Sequence, residues 1–148
     1  MWIAFLALII KIPAGVLGSL LIETLSLTNP LYSASMQEPI LSGVDIFTAV
    51  LVAPVLETIA GQMLPIELLR KRISHAPTLI IASASLFMIM HWPVVEFFPS
   101  AFAVGCIFGY AWVVQRKESV RVAFWTVTLS HALHNAVVAA MSAFIHAP

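Results

Sequence analysis

Residues 46–69 read IFTAVLVAPVLETIAGQMLPIELL. A helix that crosses a bilayer needs about 20 mostly apolar residues, because the hydrocarbon core is about 30 Å thick and an α-helix rises about 1.5 Å per residue. This run is long enough, and it carries Glu57 near its middle. A carboxylate at that depth is costly, so such residues turn inward in a helix bundle and by default mark function. Pro54, one turn earlier, removes a backbone hydrogen bond and opens the helix there.

The rest of the chain has the same character. Of its 148 residues, 61% are apolar and 9% charged, against about 25% charged in an average soluble domain. Mean hydropathy is +1.01. Seven basic and seven acidic residues cannot clothe a soluble surface, and their balance leaves no basic face for nucleic acid. The single cysteine, Cys106, excludes a disulfide framework and a cysteine zinc cage, and reads as a small packed side chain. The expected fold is all-α, a polytopic membrane helix bundle. Its five transmembrane helices lie at roughly 2–24, 44–68, 78–98, 100–115 and 120–145. The first is a retained helix and not a cleaved signal, with Lys11 snorkelling or facing a partner helix. Residues 26–43 read as an irregular external loop. The chain is one domain in two parts, the first helix and loop over 1–43 and a four-helix core over 44–148.

Charge orients the bundle. Arg70, Lys71 and Arg72 follow the second span, and Arg116, Lys117 and Arg121 precede the fifth, so both clusters fall on one side. The other side receives Glu38, Asp45 and Glu96. The basic loops, and with them the N-terminus, are therefore expected in the cytoplasm. Trp112 and Trp125 flank the second cluster, as an interfacial aromatic belt would. Ala101, Gly105 and Gly109 form a stripe of small residues, where another helix can approach closely.

Measured from the basic side, three helices bring polar groups to one depth. Glu57 lies 13 residues before Arg70, and His91 lies 13 residues after Thr78. Each is about 20 Å deep at 1.5 Å per residue, and His131 and Asn135 lie at about 15 and 21 Å. His131 and Asn135 share a helix face at i,i+4, as do Thr58 and Gln62. Two chemistries suit a carboxylate and two histidines in a cavity. In one, Glu57 is a general base that activates water while a histidine and an amide stabilise the oxyanion. In the other, Glu57, His91 and His131 hold a catalytic zinc with a fourth position for water. The spacing leaves both open, though no H-E-x-x-H helix is present.

These residues resemble the CPBP intramembrane protease family, which contains CAAX prenyl endopeptidases and bacteriocin-processing, Abi-like enzymes. The family pattern is E-E-x-x-x-R, F-x-x-x-H and H-x-x-x-N on separate helices. Here the motifs run Glu57 to Gln62, Phe87 to His91 and His131 to Asn135, in that order, and the resemblance covers about residues 44–145. It implies that Glu57, helped by His91, activates water, and that His131 and Asn135 hold the oxyanion, without a cofactor. Thr58 and Gln62 replace the family's second glutamate and its arginine. The local charge stays at −1, and an i,i+4 hydrogen-bonded pair can replace the ion pair. Phe87 and His134 are supporting residues, His134 chiefly by packing.

The function expected is a glutamate-dependent intramembrane endopeptidase of a prokaryotic inner membrane, cutting a membrane-embedded peptide or protein. The rival is a non-catalytic membrane immunity or assembly protein using the same polar cavity. A channel or transporter is disfavoured, because the polar groups form one layer and not a path along the axis.

Overall fold

A computed structural model describes residues 2–25, 43–92 and 97–145. The expected external loop lies outside these residues except for Gly43, and Glu38, Glu96 and His146 lie outside them too. Among the described residues there are five helical rods and no strand. They are α1 (Trp2–Leu25), α2 (43–69), α3 (Ala76–Ile89), α4 (Phe98–Gln115) and α5 (Val120–Ile145).

The rod α2 is not a uniform helix. Thr48–Val52 and Thr58–Met63 are π-helical, with Ala53 N–H donating to the Thr48 carbonyl and Leu64 N–H to that of Ile59, each five residues back. Each wide turn runs into a proline, Pro54 or Pro65. A proline ring clashes with the carbonyl four residues earlier and offers that carbonyl no N–H. Widening the turn is one way a helix absorbs this without stopping.

The helix α4 is the hub. It packs against α1, α3, α5 and the second wide turn of α2. The expected small-residue stripe explains the closeness to α3. A Cβ on Gly105 would meet Ala84 Cα at 3.0 Å, while one on Gly109 would meet Ile80 Cα at an ordinary 3.5 Å. Phe87, Val104, Phe108, Trp112 and Val127 form the middle of the core. The Phe87 and Phe108 rings meet edge-on at 6.2 Å. Outward-facing positions are also apolar, with Leu51, Leu56, Leu64 and Leu68 exposed on α2 and Leu129 and Leu133 on α5. Such a surface suits lipid and not water.

Among the described residues, three helices are long and apolar enough to cross a membrane, at Asp45–Leu69, Phe98–Gln115 and Val120–Phe144. The third expected span is shorter than its hydropathy indicated. The helix α3 has 14 residues, about 21 Å. It tightens at its end, where His91 N–H reaches the Met88 carbonyl and Trp92 N–H that of Ile89. Pro93 disfavours a helical Trp92, which accounts for the stop.

The basic ends of α2 and α4 lie together, as the charge pattern indicated. Glu67 ties them. Its Oε1 accepts from Arg116 Nε at 2.8 Å and from Trp112 Nε1 at 3.2 Å, and Arg70 lies 3.4 Å away. Trp112 is therefore not part of an interfacial belt. It is fully buried, because an indole N–H that finds a carboxylate on the next helix can leave the interface. Trp125 is exposed, as a belt residue should be.

Replacing Gly105 with Ala should lower stability in detergent by about 1–3 kcal/mol, because the obstructing atom is backbone. Gly109→Ala should leave the unfolding midpoint nearly unchanged. Equal midpoints for the two variants would contradict this packing.

Candidate active site

The two wide turns leave carbonyls without their usual donors, and other helices supply them. In the π register Ala49 would pair with residue 54, a proline, and Ala53 N–H already serves Thr48. Asn135 Nδ2 on α5 donates to the Ala49 carbonyl at 2.8 Å. Gly61 lies four residues before Pro65, and the buried Ser83 hydroxyl on α3 donates to its carbonyl at 2.7 Å. These two bonds hold α2 against α5 and α3 on either side of Glu57. They also use only one of the two N–H groups that an asparagine amide carries.

Glu57 ends the short α-helical segment between the two wide turns. Its Oε2 lies 3.5 Å from His131 Nε2, longer than a good hydrogen bond but in close reach. His131 is almost fully buried, between the rings of Phe108 at 4.8 Å and Phe87 at 5.6 Å. Phe87 also stacks on His91 at 4.9 Å, so one benzyl group spaces both imidazoles. Gly61 makes room for that ring, since a Cβ there would meet Phe87 Cδ2 at 3.0 Å. His91 Nδ1 donates to the Phe87 carbonyl at 2.8 Å, so Nε2 is the ring nitrogen left for another partner.

His91, His131, His134 and Asn135 line one cavity of about 150 Å³, together with Phe87 and Lys11. Lys11 thus faces partner helices. Glu57 lies beside this cavity through its contact with His131. Among the described residues, no three His, Cys, Asp or Glu side chains converge closely enough to hold a metal ion.

The Rce1-like family, type II CAAX prenyl endopeptidases, matches residues 39–137. The chain belongs to this family. As an Rce1-like protein it is a membrane protease, and the matched region contains Glu57, His91, His131 and Asn135. The helix α1 lies outside it. Searches of curated proteins and of solved structures found no match.

Two supporting residues of this Rce1-like chain sit differently from expectation. Thr58 and Gln62 are fully buried, but they form no hydrogen-bonded pair, and neither Thr58 Oγ1 nor the Gln62 amide has a partner among the described residues. Both lie in the second wide turn, whose register departs from the α-helical one behind the i,i+4 argument. His134 is buried and lines the cavity. Sequence reasoning missed Ser83 and Glu67. The signal for Ser83 was Pro65, which marks Gly61 as a carbonyl in need of a donor.

Ser83→Ala should strand the Gly61 carbonyl in the core and cost about 1–3 kcal/mol. Ser83→Thr, which keeps the hydroxyl, should recover part of that loss in a thermal unfolding series. An unchanged midpoint for Ser83→Ala would show that the bond carries no weight.

Proposed function

We propose that this protein is a glutamate-dependent intramembrane endopeptidase that hydrolyses a peptide bond in a membrane-embedded peptide or protein. The contact between Glu57 and His131 beside the His91 and Asn135 cavity carries this reading. Glu57 and His91 do not touch within ion-pair distance, so a water can sit between them. Glu57 takes one proton of that water, and the free Nε2 of His91 accepts a hydrogen bond from the other. The water oxygen adds to the substrate carbonyl. His131 and the second N–H of Asn135 hydrogen-bond the oxyanion, where such donors are worth most. Collapse of the intermediate breaks the C–N bond, and the proton on Glu57 passes to the leaving amine. A carboxylic acid and an amine result.

No cofactor enters this scheme. The zinc alternative needs Glu57, His91 and His131 as ligands, and His91 is oriented as a metal ligand often is, with its other nitrogen on a carbonyl. The spread of the three groups favours the metal-free form. Purified protein should contain well under one zinc per chain, and chelation should not abolish cleavage. A stoichiometric zinc that is lost in His91→Ala would reverse the preference.

The basic ends of α2 and α4 are assigned to the cytoplasmic face of a prokaryotic inner membrane. The substrate is a peptide segment in that membrane, and membership of the CAAX prenyl endopeptidase family supports CAAX-terminated chains as candidates. Against the rival immunity or assembly role, Glu57→Gln should lower turnover by about 10²–10⁴-fold with an unchanged unfolding midpoint. His131→Ala should also lose most turnover. In cells, peptide termini found with the native protein should vanish with Glu57→Ala. Full biological activity in both the Glu57 and His131 variants would exclude proteolysis as the function.

A further inference from the structure

A second cavity, of about 240 Å³, lies among the basic ends of α2 and α4. Arg70, Arg116 and Lys117 line it, and none of its lining residues is acidic. Two of the membrane-spanning helices end at Leu69 and Gln115, so these cations begin where the hydrocarbon ends. Arg70 is 13 residues from Glu57, about 20 Å along α2, and the cavity is therefore separate from the one beside Glu57. Glu67 sets one carboxylate against the three cations, accepting from Arg116 Nε at 2.8 Å and lying 3.4 Å from Arg70. Among the described residues, the two terminal nitrogens of Arg116 and the Lys117 ammonium have no partner. Ala76, the first residue of α3, also lines the cavity, and no side chain caps that end of the helix, so its dipole adds to the same sign. The wall has an apolar part as well, in the buried Ile66 and Leu79.

We propose that this cavity binds the phosphate group of an anionic phospholipid, with the free edge of the Arg116 guanidinium and the Lys117 ammonium as its main contacts. Three cations less one carboxylate leave two positive charges, which attract an anionic headgroup and not one of zero net charge. A guanidinium presents paired N–H groups that match two phosphate oxygens, and an ammonium adds a point charge. Position and wall select a lipid as the carrier of the phosphate. The cations stand just past the ends of two membrane spans, at the level of the headgroups, and basic pockets between helices at a membrane face suit such groups. Ile66 and Leu79 offer apolar surface to the glycerol and the first acyl carbons, which a free phosphate lacks. A phosphate held here joins the ends of α2 and α4 to the start of α3 and relieves the repulsion among their cations. The site is independent of the protease reading, since none of its residues belongs to the cavity beside Glu57.

The test titrates the purified full chain, in a neutral detergent at about 0.15 M salt, with dioctanoyl phosphatidylglycerol, dioctanoyl phosphatidylcholine and inorganic phosphate. Phosphatidylglycerol should bind at least about tenfold tighter than either of the others, as charge-assisted hydrogen bonds to a carrier with an apolar part would give. Lys117→Gln should weaken it about fivefold or more, the loss expected of one cation beside a headgroup. Arg72→Gln removes the same charge from an exposed residue outside the cavity and should change the affinity by less than about twofold, because salt screens a charge at that distance. Equal affinity for the two lipids would overturn the proposal. Equal losses in the Lys117 and Arg72 variants would do so too, by showing a diffuse surface charge and no built site. Inorganic phosphate bound as tightly as phosphatidylglycerol would remove the lipid and assign the cavity to a free anion, and binding of none of the three would remove the site. Should Lys117→Gln fail to fold, the native comparison and Lys117→Arg, which keeps the charge and should keep the preference, still decide.

Discussion

Water is absent from the middle of a bilayer, so every backbone carbonyl there must find its donor within the protein. Pro54 and Pro65 break this requirement twice in α2, on either side of Glu57. The helix continues by widening, and the carbonyls of Ala49 and Gly61 take their donors from Asn135 and Ser83. The helix that carries the carboxylate is therefore joined to its neighbours by bonds that a regular helix would not have offered. The same asparagine that satisfies Ala49 also lines the cavity, which couples the shape of the site to the integrity of α2.

Aromatic packing sets the spacing of the histidines. Phe87 lies against both His91 and His131, and Phe108 covers the far side of His131. Rings fixed in this way keep each imidazole in one orientation. Glycine is needed at Gly61, where the Phe87 ring meets backbone, and at Gly105, where the α3 backbone approaches at Ala84. Small residues on α2 and α4 thus serve the chemistry indirectly, by letting the Phe87 ring and the helix that carries it approach.

Charge is divided between two levels. At the basic end, Glu67 gathers Arg70, Arg116 and the Trp112 indole, and it fastens α2 to α4 away from the cavity. At the level of the site, Lys11 is supplied by the helix outside the family match. The first level holds the bundle together, and the second adds an ionisable group to the cavity wall.

The sequence by itself determined the membrane bundle, the approximate spans and the shared depth of Glu57, His91, His131 and Asn135. These follow from apolar run length and from 1.5 Å per residue, both properties of a single helix. It also determined that the two basic clusters share one end, because successive helices alternate in direction. Tertiary structure decided what no single helix encodes. Trp112 is buried because Glu67 stands opposite it on another helix. The early stop of helix α3, by contrast, is local to the sequence, where Pro93 outweighs an apolar run that continues past it. Thr58 and Gln62 do not pair, because the prolines change the register of the turn that holds them. Lys11 joins the cavity because α1 packs against α4 and α5, a choice made by the fit of surfaces and invisible in hydropathy.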